Sequence, residues 1–116
     1  MNTNVIFMGW DRAIAGREAD AAQLFQEVLQ YLGGLQQAGT IQSFEPVLLS
    51  SHGGDLNGFF LIRGESDKLD ALQSTEEWFT YVTRGGMLLE GLGVVRGATS
   101  EMVMKWMDLW TKIIPA

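Results

Sequence analysis

Apolar positions change their period several times along the chain, and each change marks an element. Residues 4–10, Asn-Val-Ile-Phe-Met-Gly-Trp, form a short apolar run suited to a central strand. From about Arg17 the spacing lengthens. Ala21, Leu24, Phe25, Val28, Leu29, Leu32 and Leu35 recur at three and four residues, which predicts an amphipathic helix. Glu18 and Asp20 suit the positive end of its dipole, and Gly39 is a plausible stop. Two β-rich runs follow, at about 40–50 and 56–64, around the Gly-rich segment Ser51-His52-Gly53-Gly54-Asp55. That is a strong hairpin signal. Pro46 cannot donate a ladder hydrogen bond, so the first of these strands is expected at a sheet edge.

Residues 66–84 read as helix with a break near Ser74-Thr75, burying Leu69, Leu72, Trp78, Phe79 and Val82. Ser66 and either Ser74 or Thr75 are candidate N-caps. Residues 87–96 read as a fourth strand. Thr99 or Ser100 then caps a last helix, 101–113, with Met102, Trp106, Leu109, Trp110 and Ile113 on its apolar side. The order β-α-β-β-α-β-α predicts an α+β fold. Two split β-α-β units make a ferredoxin-like sandwich with a four-stranded antiparallel sheet. No linker or repeat divides residues 1–116, and the length suits one domain.

Neither parity of the hairpin is clearly polar. If its register follows the His-Gly-Gly-Asp turn, one face holds Ser43, Glu45 and Val47 with Gly58, Phe60 and Ile62. The other then holds Phe44, Pro46 and Leu48 with Phe59, Leu61 and Arg63. Leaving Phe44, Leu48, Phe59 and Leu61 in water makes an apolar patch of interface size. A homodimer formed face to face through the sheet is the expected solution. The alternative is that the last helix folds back over its own sheet.

The element order, the length and the two-faced strands with Gly-rich turns resemble the dimeric α+β-barrel superfamily. That group includes antibiotic-biosynthesis-type monooxygenases and muconolactone-isomerase-like proteins. The resemblance covers nearly the whole chain and rests on architecture; no signature motif of a named branch is present. It implies two sheets packed into a barrel and a small apolar pocket between sheet and helices in each subunit.

Composition narrows the functional classes. The net charge of −6, with the eight Lys and Arg scattered, disfavours nucleic acid and anionic membrane surfaces as partners. The chain has no cysteine, which removes disulfides, thiol catalysis and Cys-ligated metals. The start Met-Asn-Thr-Asn is not that of a signal peptide, and no apolar run approaches the ~20 residues that span a bilayer. A cytoplasmic protein is the expectation.

Few residues point to chemistry. His52, the single histidine, lies close to Asp55, so an acid/base pair is conceivable. The plainer reading is an exposed turn residue. Haem-degrading members of the superfamily resembled would need a histidine as axial ligand, usually on a helix, and His52 is expected in a turn. With one histidine and no carboxylates at ligand spacing, no metal site is expected. The glycines at 91, 93 and 97 do not follow the dinucleotide pattern, and no cofactor is expected.

Glu45 and Arg63 are charges inside apolar strands, and the assumed register puts them on opposite faces. Glu45 beside Ser43 and Gly58 suggests either a pocket holding a carboxylate or close helix packing. Arg63 on the dimer face suggests an ion pair with Glu90 and Arg96. Trp10 and Arg12, at a strand end, can line a pocket and meet an anionic group. The plainer reading makes Trp10 core and leaves Arg12 solvated. The functional expectation is a homodimeric protein binding a small apolar ligand near Trp10, Arg12, Glu45, His52 and Arg63. A cofactor-independent enzyme acting on such a compound is one form this expectation takes. The alternative is a non-catalytic sensor or self-association module.

Overall fold

A computed structural model describes residues 2–115. The elements are β1 (Val5–Trp10), the short β2 (Arg12–Ala13), α1 (Glu18–Gln37), β3 (Ser43–Leu48) and β4 (Gly58–Arg63). They continue with α2 (Ser66–Gln73), α3 (Glu76–Leu88), the short β5 (Leu89–Glu90), β6 (Gly93–Gly97) and α4 (Glu101–Ile113). The main sheet is antiparallel with order β3-β4-β1-β6, the ferredoxin-like arrangement. β3, carrying Pro46, is an edge strand, as its missing donor requires.

The period of two in β1 sends Ile6, Met8 and Trp10 to the helix side. They meet Phe60 and Ile62 of β4, then Leu24, Val28 and Leu32 of α1, and Leu69, Leu72, Trp78 and Leu88 of α2 and α3. Ile6, Leu32, Ile62 and Leu69 have almost no exposure. The break between α2 and α3 falls where expected: the Thr75 side chain accepts a hydrogen bond from the Trp78 N–H at 3.3 Å. At α2, by contrast, the N-cap position is Glu65, and Ser66 is already helical.

Two sequence expectations are corrected. First, the residues from Met87 do not enter the fourth strand directly. Trp78, Tyr81, Gly85 and Leu88 continue the helical spacing, so α3 runs to Leu88. Leu89–Glu90 pairs with Arg12–Ala13, Gly91 turns the chain at φ +70°, and only then does β6 begin.

Second, the hairpin register differs by one residue. Phe44 faces Ile62, Pro46 faces Phe60 and Leu48 faces Gly58. Residues 49–57 form a loop, so the His-Gly-Gly-Asp turn does not set the pairing; an added bond from Leu49 N–H to the Asn57 carbonyl, at 2.9 Å, closes it. A one-residue slip exchanges the faces of a whole strand. Phe44 and Leu48 therefore lie on the helix side. The open face carries Phe7, Val47, Phe59 and Leu61, with Ser43, Glu45 and Arg63 at one end.

That slip also corrects the ion pairs. Glu45 and Arg63 share the open face, and their charged atoms stand 3.7 Å apart. Arg96 lies on the helix side, donating to Asp70 Oδ1 at 2.7 Å, Gln73 Oε1 at 3.1 Å and the Ser66 carbonyl at 3.1 Å. Glu90 pairs with Arg12 instead. The last helix packs little against its own sheet: no residue of α4 is buried, and Met102 and Trp106 are only half-buried.

Candidate functional site

An apolar cavity of about 440 Å³ lies between the sheet, α1 and α3. Met8, Trp10 and Phe60 form its floor. Leu24, Phe25 and Val28 of α1 form one wall, and Tyr81 of α3 with Leu89 and Leu92 the other; Leu48 stands at the lip. The space exists because Ala13, Ala21, Ala22 and Gly85 stand where larger side chains would fill it.

The floor depends on one close approach. A Cβ on Gly58 would sit 2.6 Å from the Trp10 ring, so the indole lies flat over β4 only because position 58 is glycine. Trp10 meets Phe60 at 5.5 Å and Phe25 edge-on at 6.2 Å, and Phe25 stacks on Phe60 at 5.3 Å. These are favourable aromatic geometries, each worth roughly 0.5–1.5 kcal/mol beyond area burial. They hold three rings in a fixed cluster on one side of the cavity.

The polar groups are few. Glu18 is the one ionisable carboxylate on the lining, and both of its oxygens accept from the Gly16 N–H at 2.9 Å. Among the described residues no Lys or Arg lines the cavity. Outside it, Arg84 grips Glu27 with two bonds of 3.0 and 2.9 Å and ties α3 to α1. The bonds from Arg84 hold the Glu27 carboxyl below its usual range, against a smaller opposing effect of desolvation. Tyr31 stacks on Tyr81 at 4.5 Å, behind the cavity wall. Its hydroxyl is buried with no hydrogen-bond partner. Desolvation pushes its pKa from 10.0 up to about 12.

The five residues singled out from the sequence fall in three places. Trp10 lines the cavity. Arg12 and His52 border a shallow polar hollow formed with Asp11, Ser51, Asp55 and Asn57 at the base of the 49–57 loop. There Arg12 Nε donates to Glu90 Oε2 at 2.8 Å, and Asn57 Nδ2 donates to Asp11 Oδ1 at 2.7 Å. The bond to Glu90 raises the Arg12 pKa. His52 is exposed, and its Nδ1 accepts a long 3.4 Å bond from the Gly54 N–H. Glu45 and Arg63 pair on the opposite face of the sheet, away from both.

Of the cavity lining only Trp10 was singled out from the sequence; Phe25, Phe60, Tyr81 and Leu92 are among the residues it missed. Their only signal is indirect: Ala21-Ala22 on the apolar stripe of α1 and Gly85 on that of α3 thin the packing at one level. Among the described residues no group of three His, Asp or Glu side chains is placed to hold a metal ion. Nor is any helix there long and apolar enough to cross a membrane.

No family model matches this chain, and no curated protein does. Among solved structures it is similar to the crystal structure of a dimeric protein of unknown function and ferredoxin-like fold from Bacteroides fragilis NCTC 9343. The two share 13% identity and a TM-score of 0.57, over 82% of this chain and 95% of the other. The likeness is one of fold, and together with the strand order it shows this chain to be an α+β protein of ferredoxin-like fold.

Proposed function

We propose that this chain is a homodimeric binding protein that takes a small, neutral, aromatic or otherwise apolar compound between its sheet and helices. The cavity walled by Trp10, Phe25, Phe60 and Tyr81 carries the reading. Its volume of about 440 Å³ falls within the ~300–1,000 Å³ of small-molecule sites. The absence of a lining cation, among the described residues, argues against a carboxylate or phosphate ligand. Glu18, already bonded to its own loop, suits a rim position where a hydroxyl or amide of the ligand can donate to it.

Dimerisation is supported by the open sheet face. Phe7 and Phe59 meet there at 5.0 Å in a tilted pair beside Leu61 and Val47, with no helix of their own chain packed across them. The B. fragilis protein of like fold is dimeric, which agrees. The same face favours a second reading, in which self-association is the whole task and the cavity is incidental.

A thermal-shift screen of neutral aromatics, phenols and aromatic carboxylates separates the two. A neutral compound should raise the melting temperature, by about 2.7 kcal/mol of stabilisation at a hundredfold excess over Kd. Carboxylates should do so less, and Trp10 fluorescence should respond to binding. Ala21→Leu, which fills the cavity, should abolish the shift while the protein stays folded. If no compound class shifts the melting temperature and Trp10 emission stays constant, the self-association reading replaces the binding one.

A further inference from the structure

We infer that α4 is an arm that seats on a second copy of this chain, covering the free edge of the partner's β6; this rests on the proposed dimer. The helix is sharply two-sided. Glu101, Lys105, Asp108 and Lys112 fall on one side, and Val103, Met107, Trp110 and Ile113 on the other. None of its residues is buried, and Trp110 and Ile113 are 58% and 77% exposed. Among the described residues, its side-chain hydrogen bond to the body is from Trp106 Nε1–H to the Asn2 carbonyl at 2.9 Å, and Met102 and Trp106 are half-buried. A 13-residue helix is marginal in water by itself, since isolated helices under about 12–15 residues rarely persist. Its apolar side therefore needs a surface to pack on.

The dimensions agree. The radius of gyration is 15.8 Å and the long axis 54 Å. A compact chain of this length has a radius near 13 Å.

The partner's β6 supplies what α4 lacks. β6 ends the sheet, and its sequence Gly-Val-Val-Arg-Gly carries no proline to blunt the edge. The opposite edge, β3, has Pro46. A bare edge is an open template for pairing, and a covering helix is one of the ways proteins protect it. Val95, on the open face of β6, is 57% exposed.

Area also calls for a second contact. Four strands about 4.8 Å apart and about 20 Å long give a footprint of only about 400 Å² in projection. That is small ground for a standard interface, which buries about 800 Å² of accessible surface on each partner. An arm about 20 Å long, reciprocated by two-fold symmetry, adds its own apolar side and the ground it covers. A membrane surface is the less favoured occupant. The polar side of α4 balances two lysines with two acids, and the chain carries −6, so anionic lipid gains nothing from it.

The test uses the full chain. Sedimentation velocity compares the wild type with the double variant Trp110→Lys, Ile113→Lys. Dimerisation should weaken about 100-fold or more, as for loss of a central aromatic anchor. Because the chain has no cysteine, Val95→Cys and Met107→Cys proteins can be mixed and treated with a short bismaleimide. A product of twice the chain mass should form more strongly in the mixture than in either protein alone. A dimer unaffected by the lysines, with no such product, overturns the arm and leaves the sheet dimer standing. A monomeric wild type removes the sheet dimer and the arm together. Binding of α4 to zwitterionic or anionic vesicles, with dimerisation unchanged in the variant, overturns it in favour of a lipid surface.

Discussion

The two faces of the one sheet differ in how they are finished. On the helix side, Ile6 and Ile62 have no exposure, three helices close over them, and the cavity at Trp10 and Phe60 is a gap in that packing. On the other side the same strands present Phe7, Val47, Phe59 and Leu61, half-buried, with Leu56 of the 49–57 loop against Gly9 but no helix packed across them. Both faces are apolar, so apolarity alone does not say which one is the core. What separates them is the covering layer: the helix face is covered within one chain, and in the proposed dimer the open face is covered by a second.

Substitutions on the two faces should therefore fail in different ways. The largest effect belongs to the helix face. Ile62→Ala removes a fully buried side chain and should cost about 2–5 kcal/mol in chemical denaturation. The loss should be similar at every protein concentration, because no partner is involved. Phe59→Asp should leave the monomer close to its normal stability and dissociate the dimer, since a lone carboxylate in such an interface has no partner. Sedimentation equilibrium at micromolar concentration should then give one chain mass rather than two. If instead Phe59→Asp unfolds the protein at all concentrations, the open face is core, and the contrast between the faces is wrong.

Smaller effects sharpen the picture of the helix side. Tyr31 buries a hydroxyl with no partner, so Tyr31→Phe should be neutral or stabilising by up to about 1 kcal/mol. The sign with pH follows from its raised pKa. The folded state keeps the neutral phenol, so Tyr31 leaves stability independent of pH below pH 10.0 and lowers it as pH rises toward about 12. In Tyr31→Phe that alkaline loss should shrink, as read by melting curves across the same window. The smallest effect is at the 49–57 loop. His52→Ala should change stability by less than about 0.5 kcal/mol, because the imidazole is exposed and its one bond is long. A large drop in melting temperature would show that the polar hollow beside Arg12 is structurally coupled to the core.

The residues explain how much of this was legible in sequence. β1, α1, the break at Thr75 and α4 could be read because their apolar spacing is unambiguous over whole turns or strands. The register of β3 on β4 could not. Both parities of both strands are apolar, and the loop 49–57 is too long to fix the pairing, so the pattern carries no information about a one-residue slip. That slip displaced Phe44 and Leu48 from the expected interface and brought Glu45 to Arg63. The end of α3 was hidden because Met87-Leu88-Leu89 reads equally well as the start of an apolar strand, although Leu88 continues the helical stripe. The cavity was largely silent. A space left by Ala21, Ala22 and Gly85 has no chemical signature, and only Trp10 of its lining stood out in advance.

The central claim, that one face is finished by the chain and the other by its partner, is tested most directly by the melting temperature of the wild-type protein as a function of its own concentration. Mass action makes a dimer's melting temperature rise with concentration. The account predicts a steady rise of several degrees between about 1 and 100 μM, retained in Ile62→Ala at a lower absolute value and abolished in Phe59→Asp. A wild-type melting temperature that stays constant across that range, with one chain mass in sedimentation, would contradict it.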